Sequence, residues 1–535
     1  MGSLPLLPRQ STTSRVSWRL RALIAILLTL HAAVALLSTR SQSLTYDEYG
    51  HYLYGEQILS LDSDRFDNSK MPFSALNALP VRLARALAPD AMAAAWQPER
   101  IGRLATILFS TLIGYFLYRW AAQWYGPFSG LAALFLYCLE PNILAHAGLM
   151  TTDIYIAGMA ALSVYSFWRF LEHPTLRTGL VSSLVLGLSQ LAKYTGVFLY
   201  PLLVLLLIGH ALGRRRFVFN ARQVARWAGY ALLFLVISLA VINLGFLLNR
   251  TFTPLGDYEF RSDVFQGIQS LLSFARGLPV PLPYPYLEGL DLVRHADRTG
   301  ESYGSIYLLG QTRKPEGFAG YFLVASLFKV PLASLIAFGA ALGVYFFRQR
   351  GGGFWDRELY LLGPGLFFAI YFNFLFAAQI GIRLFLVAFP FFIVFTSSLF
   401  RDWASFSPRS RLLTGLGALY LAASVGSYFP HYIPYFNELV GNRLHAYRIL
   451  SDSNIDYGQA EGYLAEYLAA HPQALVEPRD PTAGTIVISV DRLTGVREAP
   501  AWYARLRDTF EPTDHVAHAY LVYQVRPEDL AALSP

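Results

Sequence analysis

The chain has 535 residues, of which 54% are hydrophobic and 15% charged, and its net charge is +7. Soluble proteins carry about 25% charged residues, so this composition excludes a disordered chain and argues against a soluble enzyme. The basic residues punctuate apolar runs instead of forming one patch, which is the pattern of a membrane protein and not of a nucleic-acid binder.

A bilayer core takes about 20 apolar residues per helix. Eleven runs predict such helices, near 20–38, 103–120, 128–146, 154–171, 178–192, 195–212, 228–248, 319–346, 359–376, 383–400 and 412–428. The lone cysteine, Cys138, lies in one of them and says little about redox compartment. Four arginines precede the first run, but no small-residue cleavage site follows it, so it reads as a retained helix and not as a signal peptide.

Arginine and lysine set the orientation. With the N-terminus in the cytoplasm, the inner short segments hold Arg9, Arg15, Arg19, Arg21, Arg119, Arg169, Arg177, Arg214, Arg215, Arg216, Arg222, Arg226, Arg348, Arg350, Arg357, Arg401, Arg409 and Arg411, which is 18. The outer short turns hold Lys193 and Arg383, which is 2. An odd number of spans then puts the C-terminus outside. Three long segments share that side: loops 39–102 and 249–318, and a tail from 429 to 535. The tail predicts a helix over Gln459 to Ala470 and β-like runs over Thr485 to Val490 and Tyr520 to Val525, enough for a small α/β unit. The expected division is therefore 1–428, membrane, and 429–535, an outward-facing C-terminal domain. No internal repeat is visible, which weighs against many secondary transporters.

The outer segments carry the candidate chemistry. Asp47-Glu48 follows the first run by a few residues. Two carboxylates at a membrane surface can accept a proton, hold a cation or bind a sugar hydroxyl. Adjacent helical residues point about 100° apart, so only one is expected to face a given pocket. Asp47 equally suits the N-cap of a helix running to Leu59. Asp153, in Thr151-Thr-Asp153, lies at the same outer face and equally suits an N-cap. Lys193, Lys329 and Arg383 are basic residues embedded in apolar sequence. A charge in hydrocarbon costs at least about 2.5–3.5 kcal/mol and normally has a partner. A lipid phosphate would suit all three. Snorkelling suits Lys193 and Arg383 as well, and a buried structural pair suits Lys329, about ten residues into its run.

Further along, Pro279, Pro281, Pro283 and Pro285 alternate, a stretch that should run extended. Tyr303 follows, in Gly300-Glu-Ser-Tyr-Gly304. It could stack on a sugar or anchor at the interface. The last blocks are Pro430–Glu438, with Asn437, and Ser451–Gln459, with Asp452 and Asp456. Their amides and carboxylates could bind hydroxyls or build turns. Neither a zinc-type histidine spacing nor a thiolate cluster is present, and no phosphate-cradling glycine loop or G-x-S-x-G element occurs. No cofactor is expected, and a divalent metal stays open.

These motifs in this order resemble the GT-C superfamily, and most closely its protein O-mannosyltransferase-like, polyprenyl-phosphate-dependent glycosyltransferases of bacterial type. The pieces are Tyr46-Asp-Glu-Tyr-Gly-His51, His146-Ala-Gly-Leu-Met-Thr-Thr-Asp153, Ala192-Lys-Tyr-Thr-Gly196, Phe328-Lys-Val-Pro331 and Asp452-Ser-Asn-Ile-Asp-Tyr-Gly-Gln459. The resemblance covers most of residues 20–460. It implies an all-α polytopic GT-C fold and an inverting transfer of a sugar from a lipid phosphate at the outer face. It makes Asp47 the general base, with Glu48 and Asp153 in support. Lys193, Lys329 and Arg383 would hold the donor phosphate. Tyr46, His51, Lys70, Tyr303, Asn437, Asp452 and Asp456 would contact substrate.

Two departures stand out. Where relatives carry a His-Pro-Pro-like element, residues 68–76 offer only Lys70 and Pro72 as a counterpart. Gly381-Ile-Arg383 lacks the histidine that often precedes the arginine. The tail is also shorter than the sugar-binding module of eukaryotic relatives. The resemblance implies a multi-pass protein of the inner membrane with a polyprenyl-phosphate sugar donor, a protein, lipid or glycan acceptor, membrane lipid around it and no nucleic-acid partner. The rival readings are a lipid-diphosphate-dependent glycan ligase or polymerase, and a transporter or lipid flippase.

Overall fold

The computed structural model describes residues 18–62, 69–214, 220–348 and 353–533. Arg9, Arg15, Arg215, Arg216 and Arg350 of the basic count, and residue 68 of the lysine-proline stretch, lie outside the described residues. All eleven apolar runs contain helix. Among the described residues, seven helices are long and apolar enough to cross a bilayer, and nine if each of two bent pairs counts as one span. The other two expected spans fall short for different reasons. Leu176–Gln190 has only 15 residues. Pro408–Gly426 opens with Arg409 and Arg411, which lower its hydropathy.

The chain begins with helix α1, Trp18–Ser38, which exposes Leu23, Ile26, Leu30 and Leu37. An apolar face open along a whole helix is what hydrocarbon surroundings favour. A short helix follows, α2 at Glu48–Leu59, outside the spans. Helix α3, Arg103–Tyr125, packs against α1 and against α4, Asp153–Glu172. Helix α4 is the centre of the bundle. In its apolar window 78% of residues are buried, against 17% for α1. Small residues allow this: a Cβ on Gly158 would lie 2.6 Å from Ile113 of α3. Such close helix approach replaces the hydrophobic drive that lipid does not supply. Helix α5, Leu176–Gln190, lies antiparallel on α4 and leads through a short 3-10 turn into α6, Leu199–Arg214.

Two expected spans are broken. Pro127–Cys138 and Pro141–Ala147 meet at 64°, and Tyr321–Lys329 and Leu332–Phe347 at 116°. Each break precedes a proline, which removes a backbone donor and pushes the preceding residue out of helical geometry. Lys329 therefore sits at a corner and not inside a continuous span. The proline-rich loop also departs from expectation. It runs extended only to Pro283, the N-cap, and then forms the 16-residue helix Tyr284–Thr299 with Pro285 in its first turn. Proline is tolerated there because the first-turn donors have no helical partner. Before that helix comes α7, Asp263–Leu271.

The C-terminal part carries the helix and both strands expected from its sequence. Glu461–Ala470 is helical, and strands β1 (Leu475–Val476), β2 (Gly484–Ser489), β3 (Asp514–Val516) and β4 (Tyr520–Val525) form one sheet in the order β1-β2-β4-β3. β2 pairs antiparallel with β4 in the register Ile486 to Tyr523, and β1 lies parallel to β2. Residues 430–460 connect this unit to the helices and pack among them. Their buried aromatic side chains include Tyr432, Tyr435, Phe436 and Tyr457.

Candidate active site

Asp47, Asp153, Lys193 and Arg383 stand at one end of the bundle, each where a helix starts or stops. Asp47 is the N-cap residue of α2, yet its carboxylate caps nothing. Its Oδ2 lies 3.1 Å from an Nη of Arg383 and accepts a hydrogen bond from the Tyr457 hydroxyl. Asp153 opens α4. It pairs with the Lys193 ammonium and with Arg383 at 3.6 Å, and it accepts from the Thr151 hydroxyl at 3.1 Å. One guanidinium thus spans both carboxylates. Arg383 also donates through Nε to Ser453 Oγ at 3.2 Å and lies 4.5 Å over the Tyr457 ring.

Local structure fixes these side chains. Lys193 sits where α5 ends, in a turn that Gly196 makes possible: a Cβ there would lie 2.6 Å from the Ser189 carbonyl oxygen. Gly381 has φ of +151°, and its Cβ position falls 2.2 Å from Ser453 Oγ, so glycine is needed just before Arg383. Lys70 lies alongside Gly50 of α2, where a Cβ would come within 2.9 Å of its Cε. His51 bonds Ser74 Oγ at 2.8 Å, and burial, with Lys70 close by, lowers the imidazole pKa to about 3. It is therefore neutral near pH 7. Burial alone would raise the Asp47 carboxyl, but Arg383 and Lys70 outweigh it and hold it well below the ordinary carboxylate range. Burial raises the Tyr457 hydroxyl well above its usual value, so it stays protonated and donates to Asp47.

These groups line one cavity of about 420 Å³. Asp47, His51, Lys70, Asp153, Lys193 and Arg383 form its polar end. Phe198, Leu290, Tyr371, Phe372, Phe376 and Leu384 form an apolar wall. Its size suits a small ligand. Cations, carboxylates and an apolar wall together suit a molecule with a phosphate head and a hydrocarbon tail.

Other expected site residues sit elsewhere. Glu48 is fully buried behind the cavity. Arg103 grips it from Nε at 2.8 Å and from an Nη at 2.7 Å, and Glu48 also accepts from the backbone of Thr45 and Met150. Arg103 further donates to the Thr39, Gln42 and Ser43 carbonyls. This pair holds the turn that presents Asp47, and it does not line this cavity. Lys329 is equally remote: its ammonium donates to the Ile433 and Asn454 carbonyls, at 2.6 Å each. It satisfies the backbone at the 116° corner and stands away from any phosphate position in the cavity. Asn437 donates to the Leu327 and Val330 carbonyls at the same corner. Tyr46 is exposed and faces Arg497, and Tyr303, Asp452 and Asp456 lie outside the cavity lining. Asp452 and Asp456 accept from the backbone of Ser453 and Gly458 and so shape the turn that carries Tyr457. Sequence reasoning missed Tyr457 and Ser453, although both lie inside a quoted motif. It also missed Arg103, whose signal was a basic residue opening an apolar run.

A family model described as dolichyl-phosphate-mannose-protein mannosyltransferase matches residues 93–242, which include Arg103, Asp153 and Lys193. The archaeal oligosaccharyltransferase AglB of Archaeoglobus fulgidus superposes with a TM-score of 0.48 at 14% identity, over 79% of this chain and 56% of that one. The chain thus spans little more than half of AglB's length. ArnT from Cupriavidus metallidurans, solved in the apo state, superposes at 0.31 with 15% identity over 94% of this chain and 97% of that one. Its structure bound to undecaprenyl phosphate gives 0.29 and 16%, over 95% and 98%. No curated protein sequence matches the chain. The chain is a multi-pass helical membrane protein, and residues 93–242 of it are similar to that mannosyltransferase family model.

Proposed function

We propose that the protein transfers a sugar from a polyprenyl-phosphate donor to a hydroxyl-bearing acceptor, at the outer face of the inner membrane. The observation that carries this is the single guanidinium of Arg383 set between Asp47 and Asp153 in a cavity with an apolar wall. The lipid phosphate takes the place beside Arg383, Lys193 and Lys70, and the prenyl chain lies along the aromatic wall. The family description, with its dolichyl-phosphate mannose donor, supports the same class of donor. The basic residues of the short segments support the orientation, with the cavity and the C-terminal unit outside.

Asp47 acts as the general base. It takes the acceptor hydroxyl proton as that oxygen bonds to the anomeric carbon. The bond from that carbon to the phosphate oxygen breaks, and the phosphate leaves with the electron pair. Arg383, Lys193 and Lys70 stabilise the added charge. A single displacement of this kind inverts the anomeric centre. A carboxyl held low by two cations is a weak base at rest. The arriving phosphate neutralises those cations, which lifts Asp47 toward a useful basicity only when donor is present. Asp153 keeps Lys193 and Arg383 in place.

The test is transfer from radiolabelled polyprenyl-phosphate mannose by the purified protein. Asp47→Asn keeps an acceptor for the Tyr457 hydroxyl and preserves shape. A general base contributes about 10²–10⁴-fold, so the variant should lose that much turnover while folding normally. Turnover equal to wild type would remove Asp47 from the role.

A further inference from the structure

A second cavity, of about 630 Å³, lies on the C-terminal unit. Helix α8, Trp502–Thr509, and the segment before it form one side, and residues around Gly304 and Lys314 form the other. The two sides touch closely: a Cβ on Gly304 would lie 2.5 Å from the Val496 carbonyl oxygen. The lining holds four cationic side chains, Lys314, Arg492, Arg497 and Arg507, against one carboxylate, Glu498.

Two of those cations are already paired outside the cavity lining, Arg492 with Glu477 at 3.0 Å and Arg507 with Asp508 at 2.8 Å. The other two have no exposed carboxylate partner among the described residues. Lys314 makes no ion pair among the described residues. Arg497 stands 3.5 Å from Asp491, but that carboxyl is buried beside Asp452 and Asp456. Burial and the two neighbouring carboxylates push Asp491 well above its ordinary pKa, which weakens it as a counter-charge for the arginine. A concave site with cations of one sign concentrates anions. One of its cations also reaches the chain segment that presents Asp47. The Arg497 guanidinium lies 4.1 Å over the ring of Tyr46, the residue before Asp47.

We propose that this second cavity is an acceptor subsite and takes an anionic sugar, a glycan bearing a phosphate or carboxylate. Arg497 and Lys314 hold the anion, and Tyr46 carries the sugar toward Asp47. The assignment rests on the transfer reading for its meaning as an acceptor subsite, whereas anion binding is measurable without any donor.

The experiment titrates the full-length protein in detergent with glucose 6-phosphate, glucuronate and neutral glucose, read by saturation-transfer NMR. Both anions should bind at least tenfold more tightly than glucose, and binding should weaken as salt rises. Lys314→Ala/Arg497→Ala should weaken the anions at least tenfold with an unchanged thermal midpoint. The charge-conserving pair Lys314→Arg/Arg497→Lys should retain them and so separates charge from misfolding. Arg383→Gln, in the first cavity, should leave anion binding intact. Equal binding of glucose, or unweakened binding in the alanine pair, overturns the proposal. So does loss of binding in Arg383→Gln alone, which would place the probes beside Asp47. A wild type that binds the anions but never transfers mannose would count against the transfer reading and not against the anion site.

Discussion

At the scale of single residues, Asp47 and Glu48 divide two jobs by direction. They are neighbours in sequence, and the start of α2 turns one into the cavity and the other into the protein. Asp47 keeps 36% of its side chain open, whereas Glu48 is fully closed. A buried carboxylate needs a partner, and Arg103 supplies a two-pronged one. Removing one member of such a pair leaves the other charged and unpaired, at about 3–5 kcal/mol. Arg103→Met should therefore lower the thermal midpoint and lose transfer with it. Arg103→Lys should recover little, because an ammonium cannot reproduce the paired contacts and the three carbonyl bonds. Thermal unfolding of these two variants beside Asp47→Asn gives the check. Normal stability in Arg103→Met would show that Glu48 is not an anchor. The sequence displayed two carboxylates but not their separation, since that depends on an arginine 55 residues away.

At the scale of elements, apolar length was readable and angle was not. Each of the eleven runs is helical because hydrocarbon accepts backbone only when its polar groups bond internally. Whether a proline bends a helix by 64° or 116° depends on what packs at the corner, here Lys329, Asn437 and the 430–460 segment. Hydropathy carries no such information, so Lys329 read as a phosphate ligand. The turn before Arg383 is a more delicate device. Gly381 has a left-handed φ and lies against Ser453, whose hydroxyl both meets Arg383 and donates to the Ile380 carbonyl. Gly381→Ala should push Ser453 and the guanidinium aside. A displacement of about 1 Å near the reacting atoms can cost about a hundredfold, and a loss of that order in kcat/KM for donor is expected. Ser453→Ala in the same chain removes the obstructing hydroxyl and should restore part of it. Wild-type kinetics in Gly381→Ala would mean that Arg383 does not need this turn.

At the scale of the whole molecule, the cavity end is assembled from parts far apart in the chain. The division at 428–429 follows composition, but in space the 451–459 turn reaches back to Asp47, Ile382 and Arg383. Tyr457 reaches Asp47 across 410 positions, and Asn454 Oδ1 accepts from the Ile382 amide at 3.0 Å. No local pattern announces contacts of that span. The turn is backed by three carboxyls, the half-buried Asp452 and the buried Asp456 and Asp491, and its stability should record their protonation. Burial raises Asp452 and Asp456 to about 6 and pushes Asp491 well above the carboxylate range. In the unfolded chain each returns to about 3.8. The folded state therefore binds these protons more tightly, so their contribution is fully present below that unfolded value. It is lost as pH rises through about 6 for Asp452 and Asp456, and Asp491, also raised, adds to the loss in the same direction. The thermal midpoint, followed by the fluorescence of Trp502 in this unit, should fall between about pH 5 and pH 7.5. Asp491→Asn keeps an oxygen for the Ser451 hydroxyl and the Asp452 amide but cannot ionise. It should flatten that fall and raise the midpoint at the alkaline end. A midpoint that is level across this range in wild type would mean that the three carboxyls ionise there without cost, and that the turn holding Tyr457 does not depend on their protons.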